Sequence, residues 1–82
     1  MGFCLDNKEY IFVWYETKTV NVGSNSFNTT KTIPIGGKLR LVDTKYGIEW
    51  YNPTHFTVSG NTVTFTETSF SESLTFEIWC FI

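Results

Sequence analysis

One histidine, two cysteines and eight acidic residues are the side chains of this 82-residue chain whose types can carry acid–base, nucleophilic or metal chemistry. Their spacing argues against each use. A histidine acting as general base needs a placed partner, and a metal needs several ligands within reach; Thr54 and Phe56 beside His55 supply neither. His55 reads as a surface residue at the mouth of a strand. Cys4 and Cys80 lie near the two ends, and no other Cys or His stands at ligand spacing, so no zinc site is expected. The two thiols keep two readings open. One is a disulfide closing nearly the whole chain, stabilising by about 4 to 5 kcal/mol through loop entropy; the other is a pair of small apolar groups buried in a reducing compartment. The carboxylates of Asp6, Glu9, Glu16, Asp43, Glu49, Glu67, Glu72 and Glu77 are scattered, and nothing in their spacing selects a glycosidase pair. Nucleophile elbow, phosphate loop, dinucleotide fingerprint and zinc-protease motif are all missing from the sequence. The expectation is a chain that is not an enzyme and uses no cofactor or metal.

Aromatic rings are what the chain has in excess. They make up 18% of it, while charged residues are only 17%, against about a quarter in an average soluble domain. In residues 10–15, Tyr10, Phe12 and Trp14 alternate with Ile11, Val13 and Tyr15, so both sides of an extended segment are apolar. Near the end, Trp79 and Phe81 alternate with Ile78, Cys80 and Ile82. A strand in a two-layer protein has one face in water, and each ring left there forgoes the burial of about 150 to 250 Å² unless a partner covers it. Trp79 and Phe81, with Tyr10, Phe12 and Trp14, are therefore the interface candidates. Which side of residues 10–15 faces a core is not decided by alternation, because both sides are apolar. Tyr46, Trp50 and Tyr51 form a second cluster, an alternative site at which rings would stack on a carbohydrate. Against that use stands a strand ending in a Pro turn, with Trp50 plugging one end of a core.

Strands have to carry these rings, since alternation of period two recurs throughout and no stretch shows a helical period. The clearest case is residues 55–66. A two-residue turn at Gly60-Asn61 sets Val58 opposite Val63 and Phe56 opposite Phe65, with Ser59 facing Thr62 and Thr57 facing Thr64. Residues 8–15 and 73–82 read as the two long central strands. Weaker strands are expected at 17–22, 30–35 and 38–43, with a loop at residues 23–26. Pro34 confines its stretch to an edge or a connection, and Gly36-Gly37 fits a loose loop better than a tight hairpin. About seven short strands and no helix predict an all-β chain, a single antiparallel β-sandwich domain spanning residues 1–82, with a small barrel as the alternative.

Charge narrows the partners. Six basic and eight acidic residues leave a net −2, and Lys8, Lys18, Lys31, Lys38 and Lys45 are dispersed, so no stripe tracks phosphates and no nucleic acid is expected. No apolar run reaches membrane-helix length, the first residues lack the pattern of a signal peptide, and Asp6 spoils a myristoylation signal after Gly2. A soluble, non-secreted protein with no membrane partner is the expectation.

Residues 50–81 resemble a pattern of tailed-bacteriophage virion proteins: the hairpin HFTVSGNTVTF, followed about ten residues later by a last strand, SLTFEIWCF. The resemblance implies a small β module of the kind found in capsid decoration proteins, head fibres and tail appendages, where such modules dock and oligomerise. It implies a virion location, assembly in the host cytoplasm, and as partners other virion proteins and further copies of the same chain. Glu72-Ser73 stands where such modules often carry Gly-Asp.

Overall fold

Alternation of period two is realised as eight strands, all paired antiparallel, in a computed structural model that describes residues 2–5, 8–66 and 70–82, with side chains from Tyr10 onward. The strands are β1 (Gly2–Leu5), β2 (Lys8–Val20), β3 (Ser26–Asn28), β4 (Lys38–Asp43), β5 (Glu49–Trp50), β6 (Phe56–Ser59), β7 (Thr62–Phe65) and β8 (Leu74–Phe81). They form a five-stranded sheet in the order β1-β2-β8-β4-β5 and a three-stranded sheet in the order β3-β7-β6. The result is an open sandwich rather than a closed barrel.

The core lies between the sheets. Phe76 and Ile78 of β8, Leu41 of β4, Phe56 and Val63 of the β6–β7 hairpin and Val20 of β2 are essentially sealed from solvent. Phe65 stacks on Phe76 at 5.1 Å between ring centroids, and Phe70 meets Phe65 edge-on at 4.9 Å. Burying rings of this size is the largest favourable contribution open to so short a chain.

The hairpin has the expected register in every pair, from Phe56 opposite Phe65 to Ser59 opposite Thr62. Gly60 takes a φ of +60° at the turn, a conformation that costs a residue with a Cβ about 1 to 2 kcal/mol. Lys38–Asp43 and the final strand also form where alternation places them.

Two details differ from expectation. Residues 8–20 form one strand of 13 residues, not two. Pairing with β8 runs on through Glu16 opposite Ile78 and Lys18 opposite Phe76 to Val20 opposite Leu74. Glu16 is accommodated because its two carboxylate oxygens accept the backbone N–H groups of Thr30 and Lys31, each at 3.0 Å. The expected strand at 30–35 is absent; Ser26–Asn28 is the strand instead, and the following segment is held by side chains, the Ile33 N–H donating to Asn61 Oδ1. As the sequence implies, the paired glycines form no hairpin: the Gly37 N–H donates to the Pro34 carbonyl at 2.8 Å, with Gly36 at a φ of +81°.

A β-bulge answers the question of the two apolar sides. Phe12 pairs with Phe81 and Trp14 with Cys80, so β2 has one residue more than β8 between those pairs. Phe81 and Cys80 are adjacent on β8 and face opposite ways, so Phe12 and Trp14 do too, although simple alternation puts them together. Cys80 is a free thiol with no exposed surface. The Cys4 side chain lies outside the described residues. Its Cα is in register with Glu9, whereas Cys80 is in register with Trp14 on the opposite side of β2. That separation of a strand and several residues exceeds the about 7 Å between Cα atoms that a disulfide tolerates.

Candidate functional site

The outer face of the five-stranded sheet, turned away from the core, carries a row of side chains that crosses four strands. Tyr15 of β2 stands opposite Trp79 of β8, which stands opposite Arg40 of β4. Tyr15 and Trp79 lie 5.1 Å apart between centroids with their planes inclined by 52°, and the Arg40 guanidinium sits over the Trp79 ring, 4.8 Å from its centre. Arg40 then reaches β5, donating from Nη2 to Glu49 Oε1 at 3.0 Å and from Nε to Glu49 Oε2 at 3.3 Å. The Tyr51 hydroxyl closes the row on Glu49 Oε2 at 2.5 Å. Beside the row, the Tyr15 hydroxyl donates to Glu77 at 3.0 Å, and Thr19 and Thr75 share a hydrogen bond across β2 and β8 at 2.9 Å.

Electrostatics follow these bonds. The Arg40 hydrogen bonds, with a smaller part from Tyr51, hold the Glu49 carboxyl below the usual carboxylate range. The same carboxylate raises the Tyr51 hydroxyl. Tyr15 is raised by loss of solvation and then by its bond to Glu77. Both tyrosines therefore remain neutral donors at physiological pH. Trp79 has Tyr15 beside it and Arg40 over its ring. Side chains already fixed by neighbours lose little entropy on contact. Trp, Tyr and Arg are also the residues that dominate binding energy at interfaces.

Of the five interface candidates, Trp79 belongs to this row. Trp14 does not: it turns inward beside Cys80, packs on the core and donates its Nε1–H to the Thr32 carbonyl at 2.8 Å. Phe81 is only 4% exposed and is covered within the chain. Phe12 lies edge-on to it at 5.9 Å and is half-buried, as is Tyr10.

Tyr46, Trp50 and Tyr51 have three different settings. Trp50 is the plug at the core's end, edge-on to Phe65, Phe70 and Phe76 at 5.4 to 5.8 Å. Tyr51 ends the outer row. Tyr46 is exposed beside the Asp43 turn, where its hydroxyl and the Lys45 ammonium both meet the Glu72 carboxylate. Asp43 organises this corner: at 1% exposure it accepts the Tyr46 N–H on Oδ1 at 2.5 Å and the Trp50 Nε1–H on Oδ2 at 3.3 Å. His55 is half-buried, with Nδ1 accepting the Tyr51 N–H at 2.9 Å and its ring 5.4 Å from Trp50. That is a loop-fixing role across the cis Asn52-Pro53 bond. Burial pushes the Cys80 thiol up to about 11, which suits an apolar core group and not a nucleophile.

Arg40, Glu49 and Tyr15 were missed by the sequence reading. Their partners lie on strands distant in the chain, and only the order β2-β8-β4-β5 brings them together. The one local signal was Arg40 alternating with the inward Leu39 and Leu41. Among the described residues no three His, Cys, Asp or Glu side chains gather as metal ligands, and no helix is long and apolar enough to cross a membrane. No family model, curated protein or solved structure matches the chain, so the resemblance of residues 50–81 to phage virion modules rests on those residues alone.

Proposed function

We propose that this chain is a non-enzymatic structural domain that docks onto other protein subunits through the outer face of its larger sheet. The observation that carries the reading is the row of Tyr15, Trp79, Arg40, Glu49 and Tyr51 on a face the second sheet does not cover. In the finer form of the proposal, drawn from the sequence resemblance, the chain is a bacteriophage virion component, a capsid decoration or fibre-anchoring subunit. It would be assembled in the host cytoplasm with other virion proteins and copies of itself. Apolar and threonine-rich strands would add buried area that reinforces a larger shell.

Light scattering on the purified chain, alone and with candidate virion subunits, tests the docking, and mass spectrometry of intact particles tests the virion form. The expected result is an oligomer or a stable complex that dissociates in Trp79→Ser and Arg40→Glu variants. A chain that stays monomeric with every subunit and is absent from particles overturns the proposal. The alternative carbohydrate site would use Tyr46, Trp50 and Tyr51, but Trp50 plugs the end of the core and the hydroxyls of the two tyrosines are tied to Glu72 and Glu49. Titration with an oligosaccharide panel is expected to leave tryptophan fluorescence unchanged.

A further inference from the structure

A second surface, on the other sheet, has the chemistry to hold an extended peptide. The β6–β7 hairpin turns on two residues, so the flanking pair Ser59 and Thr62 exchanges hydrogen bonds, as does Thr57 with Thr64, while Val58 and Val63 form a non-bonded pair. The backbone N–H and C=O of Val63 therefore point away from β6, and β3 meets them: Phe27 is in register with Val63, and the flanking bonds run from the Phe65 N–H to the Asn25 carbonyl and from the Thr29 N–H to the Asn61 carbonyl. By the same geometry the N–H and C=O of Val58 point away from β7. There β6 is the edge of the sheet, and no strand among the described residues meets them.

Val58 also lines a groove of about 340 Å³, together with Gly60, Asn52 and the residues of the Pro34 turn. Ile33 and Ile35 line it, and Ile35 is completely exposed at the tip of the turn. Lys38 lines it as well, and among the described residues no carboxylate pairs with that ammonium. An unmet backbone donor and acceptor, an apolar wall and an unpaired cation together specify a ligand.

We propose that this groove binds an extended segment of another protein. The segment bridges Val58 by a pair of backbone hydrogen bonds, sets an apolar side chain against Ile33 and Ile35, and places a carboxylate near Lys38. Backbone pairing supplies the geometry and the flanking side chains the selectivity, as in other edge-strand recognition. The inference does not depend on the outer-face row, although Lys38 begins β4 two residues before Arg40.

The test uses a peptide of alternating Thr and Val, about six residues long and ending in Glu, titrated into the ¹⁵N-labelled chain. Expected are shifts at the amides of Val58, Gly36, Gly37 and Lys38, with slower exchange of the Val58 N–H. Binding should weaken about tenfold in Lys38→Gln, in Ile35→Asp, and when the peptide's Glu is replaced by Gln. It should vanish when the peptide backbone is N-methylated, and Trp79→Ser should leave it unchanged. Ile35→Asp alters a fully exposed side chain and keeps the test independent of folding. Absence of shifts at millimolar peptide, shifts confined to the outer face, or binding indifferent to both Lys38→Gln and N-methylation overturns the proposal.

Discussion

The two faces of β8 do opposite work. Inward, Phe76, Ile78 and Cys80 are fully buried in the apolar core cluster. Outward, Thr75, Glu77 and Trp79 stay half-exposed, and each meets a neighbouring strand through a hydrogen bond or a stacked plane. The inner face holds the fold by removing apolar area from water. The outer face adds only about 0.2 to 1 kcal/mol per cross-strand pair, yet it costs the sequence a Trp, two Tyr and an Arg. Residues that contribute so little to stability point to an outward purpose.

The sharpest way to break this comparison is a pair of truncations followed by urea unfolding. Phe76→Ala is expected to cost about 3 to 5 kcal/mol, enough to unfold a domain this small, whereas Trp79→Ala should cost about 1 kcal/mol or less. Equal losses would make Trp79 a core residue and end the argument for the outer face. Next in size is Asp43→Asn. The amide has one acceptor oxygen for two donors, the Tyr46 N–H and the Trp50 Nε1–H, so one is left facing an NH₂ group, and about 1 to 3 kcal/mol is lost. A neutral result would show that the corner is not what anchors Trp50.

The smallest expected effect is on pH dependence. Glu49 has a folded pKa below its unfolded one, so its contribution is fully present above the usual carboxylate range near about pH 4.3. It is lost as pH falls through the lowered value. Because the pair is more than a third exposed on the Glu49 side, the contribution is below about 1 kcal/mol. Unfolding midpoints measured between neutral and acidic pH should lose that part of their slope in Glu49→Gln, and an unchanged slope would show the Arg40–Glu49 pair to be idle.

What the sequence disclosed was local. The register of the β6–β7 hairpin follows from four apolar and four polar residues placed symmetrically about Gly60-Asn61, all within a few residues of one another. The inward face of β8 was equally plain, and Trp50 took the place of a core plug that its position before Asn52-Pro53 suggested. The outer row was not legible. It depends on Trp79 meeting Tyr15 and Arg40, residues far away in sequence, and on a single additional residue at the β2 bulge that reverses alternation between Phe12 and Trp14. Period-two counting carries no memory across an insertion of one. Nor was the continuity of the strand through Glu16 legible, because its partners, the Thr30 and Lys31 amides, belong to a loop no local pattern announces.

The place of β8 also sets an order of events during synthesis. Among the described strands it comes last in sequence, and it is the middle strand of the larger sheet, lying between β2 and β4. Until residues 74–81 have left the ribosome, β2 and β4 have no common neighbour, and only pieces such as the β6–β7 hairpin can form on their own. The nascent chain therefore holds the rings of β2 open to its surroundings until β8 has been made. Folding then proceeds as a late, long-range closure of the slow kind typical of non-local pairing.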